Sequence, residues 1–99
     1  MTHDELLAEV LQLAAARGVP YIVANGLKST PGAADLVLAG RTGLVCAELK
    51  SQDGRRTRAQ IAFADRVDGS GSTCWLWRPS DLESGKIDEW LTYYGRGTS

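Results

Sequence analysis

Two acidic residues and a lysine lie in apolar surroundings, where they are poor packing residues but suitable metal ligands and catalysts. Asp35 precedes the apolar run at 36–39, and Glu48 and Lys50 close the next apolar run. Both runs predict β-strands, and the residues at 40–43, Gly-Arg-Thr-Gly, predict a turn between them. Because an unpaired buried carboxylate is costly, an acid in an apolar strand indicates a partner of opposite charge.

The register of the predicted hairpin determines whether the two acids meet. If Arg41 and Thr42 are the central turn residues, residue i pairs with residue 83 − i, and Asp35 lies opposite Glu48. A loop of three or five residues would shift this register. Like charges at opposed positions destabilise a sheet, so a cation should lie between them.

A divalent metal ion is the cation that these residues favour. Lys50 points to the same face as Glu48, because side chains alternate along a strand, and it could supply part of the compensation. Two carboxylates with no His or Cys partner suit a hard ion, and we expect Mg²⁺ or Mn²⁺ here. A structural ion pair between Glu48 and Lys50 is the alternative.

Length and composition indicate one domain over residues 1–99. Of these residues 43% are apolar and 23% are charged, which is ordinary for a soluble protein with one core. No apolar run approaches the roughly 20 residues that span a bilayer, and the acidic N-terminus lacks the basic start of a signal peptide. We therefore expect a cytoplasmic protein without membrane contact, in which Cys46 and Cys74 are reduced core thiols.

The distribution of charge favours a nucleic-acid partner. The chain has a net charge of −1, but residues 28–66 contain seven cationic against four acidic residues, a balance of +3. A basic surface beside an acidic metal pocket favours a phosphodiester substrate. The candidate contacts to phosphate are Lys28, Arg55, Arg56 and Arg58. A solvated basic surface without a partner is the alternative that charge alone leaves open.

Two helices have clear sequence signals. Apolar residues recur at helical spacing over 4–17, and Thr2 or Asp4 can cap the N-terminus of this helix. Thr57 is a favourable N-cap for a second helix over about 58–67.

The remaining segments complete an α/β fold. Strands are predicted at 19–24 and 73–78, and a last helical region begins at Ser80. The order α-β-β-β-α-β-α predicts a mixed sheet flanked by helices. The segment from the third strand through the helix to the fourth strand predicts a right-handed crossover between parallel strands.

These motifs, taken in order, resemble the VRR-NUC branch of the PD-(D/E)xK nucleases. The resemblance spans 5–82, and its motifs are Pro31-Gly32-x-x-Asp35, Glu48-Leu49-Lys50 and Gly54-x-x-Thr57-x-x-Gln60-x-x-Phe63. The acid-and-lysine pattern alone is common, but the Pro-Gly before it and the Gln-bearing helix after it make the match fairly specific. The resemblance implies a restriction-endonuclease-like core and metal-dependent hydrolysis of DNA phosphodiester bonds.

The resemblance also implies a role for each matching residue. Asp35 and Glu48 would bind Mg²⁺ or Mn²⁺, with the backbone carbonyl of Leu49 as a further ligand. Lys50 would orient or help deprotonate the attacking water. Gln60 would position the lysine, the water or the phosphate from the second helix.

Such families often place a further acid on the first helix. Glu5 is the first candidate and Glu9 the next, and their spacing puts both on one helix face. Glu5 also fits a purely structural role as a first-turn acid favoured by the helix dipole. His3, close to the terminus, is expected to have no role.

The expected function is therefore a DNA endonuclease that nicks DNA or selects branched or junction DNA, acting as a homodimer. Trp75 and Trp77 share one strand face, which predicts an apolar patch for the dimer contact. A catalytically silent DNA-binding module on the same scaffold is the main alternative. An exonuclease or an RNA-directed relative would use the same metal chemistry.

Overall fold

The computed structural model describes residues 1–24 and 31–95, which form a mixed four-stranded sheet flanked by helices. The helices are α1 (His3–Ala16), α2 (Arg58–Gly69), α3 (Pro79–Glu83) and α4 (Lys86–Trp90), followed by a π-helical segment at Leu91–Gly95. The strands are β1 (Tyr21–Val23), β2 (Leu36–Gly40), β3 (Gly43–Leu49) and β4 (Cys74–Trp77). The predicted order is confirmed, but the last helical region is divided because Gly85, at φ +83°, interrupts it.

The strands lie in the order β1-β2-β3-β4. The β1–β2 and β2–β3 pairs are antiparallel, whereas β3 and β4 are parallel and joined through α2. The predicted parallel crossover is therefore confirmed. Because parallel neighbours end at the same edge of a sheet, the residues that follow β3 and β4 come together there.

The predicted hairpin register is confirmed from Leu36–Ala47 to Gly40–Gly43. Regular pairing stops before Asp35, whose backbone N–H donates to the Ala47 carbonyl at 3.1 Å while its own carbonyl accepts from Ala24 at 2.8 Å. Asp35 is thus bonded to both neighbouring strands. It lies at the end of the hairpin and not in a regular pair with Glu48, which corrects the expected opposition of the two acids.

One face of the sheet forms the hydrophobic core with α1, α4 and the π-helical segment. Its buried members are Leu6, Val10, Ala14, Val19, Leu36, Leu38, Ala47, Leu49, Trp77, Ile87, Trp90 and Leu91. Trp77 packs edge-on against Trp90, with ring centroids 5.8 Å apart. The expected Trp75–Trp77 surface patch is therefore wrong for Trp77, which is 4% exposed; Trp75 is 38% exposed.

The opposite face of the sheet carries α2, which packs against β4. Cys46 and Cys74 are direct neighbours in the β3–β4 pair, and both are free, half-buried thiols. Neither belongs to the core cluster, which corrects their expected place in the core. Burial raises the pKa of the Cys74 thiol to about 11. Over 1–24 and 31–95, no helix is long and apolar enough to cross a membrane.

Candidate functional site

The side chain of Asp35 is fixed against the end of β3. Its Oδ2 accepts a hydrogen bond from the backbone N–H of Leu49 at 2.8 Å, and the side chain is 19% exposed. In a strand, the N–H and C=O of one residue point to the same side. The Leu49 carbonyl therefore faces the same edge as the Asp35 carboxylate.

Pro31 and Gly32 bring this corner of the sheet against the start of α2. Gly32 has φ +81°, and a Cβ added to it would lie 2.3 to 2.5 Å from backbone atoms of Ala59 and Gln60. Only glycine accepts both this dihedral angle and this close approach. The Pro-Gly motif thus links the loop before Asp35 to the first turn of α2.

Glu48 is the only charged residue in the buried class among those the structure describes, at 3% exposure. Its neighbours in β3, Ala47 and Leu49, point into the core, so Glu48 points to the face that carries α2. There its Oε2 accepts a hydrogen bond from Nε of Arg56 at 2.8 Å. Arg56, which the sequence suggested as a phosphate contact, is thus the cation that neutralises Glu48.

Lys50 follows β3 directly, and its backbone N–H donates to the Trp77 carbonyl at 3.0 Å. Its side chain is half-buried and forms no ion pair with Glu48. The structural Glu48–Lys50 pair considered as an alternative is therefore not formed. Its side chain passes Gly54 in the loop after β3, where a Cβ added to that glycine would lie 3.5 Å from Cδ of Lys50.

Gln60 takes part in capping the N-terminus of α2, the helix from which its side chain was expected to reach the site. Its side-chain Oε1 accepts from the Thr57 N–H at 2.8 Å, and its own N–H donates to the Thr57 hydroxyl at 3.1 Å. This capping box confirms Thr57 as the N-cap. It engages the Gln60 carbonyl oxygen, so the amide nitrogen is the group with which Gln60 could contact a ligand.

The residue of α1 that lies next to Asp35 is not one of the two expected acids. Glu5 forms a capping box with Thr2, whose backbone N–H donates to it at 2.9 Å, and these hydrogen bonds lower the pKa of the Glu5 carboxyl. Glu9 is exposed. His3, expected to have no role, instead places Nε2 3.4 Å from Oδ1 of Asp35.

Arg78 is a second residue that the sequence analysis missed. Its Nη1 donates to the carbonyls of Ser51 and Gly54, both at 2.7 Å, and to that of Gln52 at 3.2 Å. It thereby fixes the loop between Lys50 and α2. Its place directly after β4, beside the end of a parallel β3, is the signal that could have indicated this contact.

The other candidate phosphate contacts lie at the surface beside the site. Arg55 lies in the loop before α2 and Arg58 is the first residue of that helix, and both are exposed. Lys28 lies outside the described residues. The three described candidates for phosphate contact thus divide into Arg56, which is paired with Glu48, and Arg55 and Arg58, which face solvent.

The candidate ligands carry oxygen atoms, which are the donors that a hard divalent cation prefers. No three His, Cys, Asp or Glu side chains form a metal-sized cluster in the described ranges. Mg²⁺, however, commonly uses only one or two carboxylates and completes its shell with water and phosphate oxygens. Asp35, Glu48 and the Leu49 carbonyl supply such donors, although Arg56 holds one oxygen of Glu48.

Comparisons of the chain with protein-family models, with curated proteins and with solved structures gave no match.

Proposed function

We propose that this protein is an Mg²⁺- or Mn²⁺-dependent DNA nuclease with a PD-(D/E)xK core of the VRR-NUC type. The observation that carries the proposal is the 2.8 Å hydrogen bond from the Leu49 N–H to the Asp35 carboxylate. It holds Asp35 at the end of the strand that carries the buried Glu48 and is followed by Lys50. An ordinary surface turn would not require two acids and a lysine at one sheet edge.

Each of these residues has a distinct task in phosphodiester hydrolysis. Asp35, Glu48 and the Leu49 carbonyl would hold the cation, which when bound makes water a better nucleophile and offsets charge on the phosphate. Lys50 would donate hydrogen bonds from its ammonium to the attacking water or the phosphate oxygens. The Gln60 amide nitrogen would orient one of these groups.

The basic residues near α2 would bind the DNA backbone. Arg55 and Arg58 are exposed and close in sequence to the ion-paired Arg56. Lys and Arg side chains that contact phosphates supply affinity without reading sequence. We therefore propose that the protein selects its substrate by DNA structure, such as a branch or junction, or nicks duplex DNA.

We also propose that the protein acts as a homodimer. Ile22 and Leu44 are each 63% exposed. Strand pairing places them on one face of the sheet with Val37 and Ala39. An exposed apolar surface of this kind is typical of an interaction site. Light scattering of the purified protein would measure its oligomeric state.

A DNA-binding module without turnover is the second candidate function. The Glu48–Arg56 ion pair favours it, because the guanidinium occupies an oxygen that a catalytic cation would need. In this case Arg55 and Arg58 would still bind phosphates, but the carboxylates would serve only the fold.

A cleavage assay separates the two functions. Purified protein is incubated with duplex, flap and four-way-junction DNA in Mg²⁺, in Mn²⁺ or in a chelator. We expect metal-dependent cleavage that Lys50→Ala reduces at least about 100-fold. Lys86→Ala, which removes an exposed lysine from α4, is the matched control and should cleave like the wild type.

Two results would contradict the nuclease proposal. Equal cleavage by the wild type and Lys50→Ala would mean that another site or a contaminant cuts the DNA. Metal-independent binding without cleavage of any of the three substrates would favour the binding module.

A further inference from the structure

A cavity of about 650 Å³ lies beside the turn of the β2–β3 hairpin and opens to solvent. Its aromatic lining residues are Trp75, Trp90 and Tyr94, and its polar ones include Arg41 and Thr73. Binding sites for small molecules commonly measure about 300–1,000 Å³ and combine an apolar, aromatic lining with a few polar groups. The size and the lining of this cavity are therefore those of a ligand site.

The cavity is separate from the edge at which Asp35 lies. Val45, which lines it, comes four residues before Leu49 in β3. At about 3.3 Å per residue, Val45 is about 13 Å from the end of the strand. The chemistry proposed for Asp35 and Glu48 therefore leaves this cavity unexplained.

Trp75 supplies a supported aromatic surface in the cavity. Its ring meets that of Trp90 at 67°, with the centroids 5.9 Å apart, and Trp90 is itself only 7% exposed. Gly95 allows Trp90 to pack closely, because a Cβ added there would lie 2.7 Å from the indole ring. Trp75 is thus held against a buried ring, yet 38% of it is exposed and open to a ligand.

Arg41 supplies a positive charge at the rim of the cavity. Its backbone N–H donates to the Tyr94 carbonyl at 2.9 Å, and its Nη1 donates to the Tyr93 carbonyl at 3.1 Å. A guanidinium has five N–H donors, so others remain for a ligand. Among the described residues, Arg41 forms no ion pair and no acid lines the cavity. An anionic group would therefore meet an uncompensated cation here.

An adjoining cavity has a different charge. It measures about 320 Å³ and shares the three aromatic residues of the first cavity. Its charged lining residues are Asp81, Lys86 and Glu89. Two acids beside one lysine disfavour an anion, so the anionic part of a ligand on Trp75 should turn towards Arg41.

A planar base that carries a phosphate matches both features of the first cavity. Every nucleobase has an aromatic face that stacks on an indole ring, and arginine binds phosphate through charge-assisted hydrogen bonds. We propose that the cavity binds a nucleotide, with its base stacked on Trp75 and its phosphate bound by Arg41. A free mononucleotide and an unpaired nucleotide of a DNA strand share this chemistry. The inference goes beyond the proposed nuclease function and does not depend on the metal site.

Calorimetric titration of the wild type with three ligands would test the assignment. The ligands are deoxyadenosine monophosphate, deoxyadenosine and a short single-stranded oligodeoxyadenylate, and a chelator in the buffer removes any contribution of metal ions. We expect saturable binding of the two phosphate-bearing ligands and weaker binding of deoxyadenosine. Tighter binding of the monophosphate would assign the cavity to free nucleotides, and tighter binding of the oligonucleotide would assign it to a DNA strand.

Substitution of Trp75 tests the stacking contact. Trp75→Leu should weaken binding of the tighter phosphate-bearing ligand about tenfold or more, because the base loses its stacking surface. Tyr21→Leu is the matched control, because it removes a 41% exposed aromatic residue from β1, outside the cavity. It should bind like the wild type. Circular dichroism would verify that both variants fold.

Substitution of Arg41 tests the phosphate contact. Arg41→Gln should weaken binding of the monophosphate about tenfold and leave binding of deoxyadenosine unchanged, because the nucleoside has no phosphate. Arg66→Gln, which removes an exposed arginine at the end of α2, should change neither affinity. Equal weakening of both ligands in Arg41→Gln would mean that Arg41 only maintains the shape of the cavity, and would overturn the phosphate contact.

Nuclear magnetic resonance supplies a measurement that needs no variant. Stacking on an indole ring should shift the base protons of the bound ligand upfield in the wild type. Unshifted base protons, no saturable binding of any of the three ligands, or equal affinities of the wild type and Trp75→Leu would each overturn the inference. None of these results changes the proposed metal-dependent function, which is tested through Asp35 and Lys50.

Discussion

Removing the guanidinium of Arg56 should destabilise the protein strongly. The Glu48 side chain is 4% exposed, and its Oε2 is bonded to Arg56 at 2.8 Å. When one partner of a buried ion pair is removed, the remaining charge costs about 3–5 kcal/mol. The Arg56 side chain is itself 26% exposed, so water can enter the vacated space and reduce this cost. We expect Arg56→Ala to lose about 2–3 kcal/mol.

Urea denaturation followed by circular dichroism would measure this loss. A loss of this size is a large part of the roughly 5–15 kcal/mol that stabilises a typical domain. It should also lower the Tm by more than about 8 °C. Arg55→Ala is the matched control, because Arg55 is exposed and adjacent in sequence, and its effect should stay within about 0.5 kcal/mol.

A double-mutant cycle would show whether the loss comes from the pair. Glu48→Gln removes the charge that Arg56 neutralises, so Arg56→Ala should cost much less in that background. A loss below about 0.5 kcal/mol for Arg56→Ala alone would refute this reasoning. It would mean that solvent, and not the guanidinium, compensates the Glu48 carboxylate.

Three further predictions concern the surroundings of the site. Arg78→Met should lose about 2 kcal/mol in urea unfolding, because three loop carbonyls lose a charged donor; an unchanged midpoint would contradict this. Arg58→Ala should weaken DNA binding and make its salt dependence shallower by about one unit, whereas Arg66→Ala, at the far end of α2, should change neither. Equal effects of the two variants would exclude a local phosphate contact. With a pKa of about 11, Cys74 should be alkylated slowly at neutral pH and faster as the pH approaches that value, as mass spectrometry would show. Rapid alkylation of Cys74 at neutral pH would contradict the burial of its thiol.

The hairpin was predictable because its signals are local. The Gly-Arg-Thr-Gly turn and the two apolar runs determine the register, which the pairing of Leu36 with Ala47 confirms. The backbone of Asp35 was not predictable in the same way. Its N–H turns to β3 and its carbonyl to β1, and this depends on both neighbouring strands being in place.

The partner of Glu48 could not be predicted from the alternation of side chains along β3. The position of Glu48 in an apolar strand indicated that it needs a cation. Side-chain alternation pointed to Lys50, the nearest cationic residue on the same strand face. The actual partner, Arg56, comes from a loop whose path is set by the Arg78 hydrogen bonds to its carbonyls. Contacts of this kind depend on tertiary structure and have no periodic signal in the sequence.

His3, in contrast, could have been found from the sequence. The apolar stripe of α1 extends backward by one turn from Leu6 to His3, whereas Glu5 and Glu9 lie off it. The proximity of His3 to the terminus led us to expect no role for it, but the Thr2 capping box fixes the first turn of the helix.

We propose that Asp35 and Glu48 form a divalent-cation site, and calorimetric titration with Mn²⁺ tests this proposal most directly. We predict saturable binding to the wild type that is lost in Asp35→Asn. Asp53→Asn, which changes an exposed acid in the nearby loop, should bind Mn²⁺ like the wild type. Undiminished binding in Asp35→Asn, or no binding to the wild type, would contradict the claim.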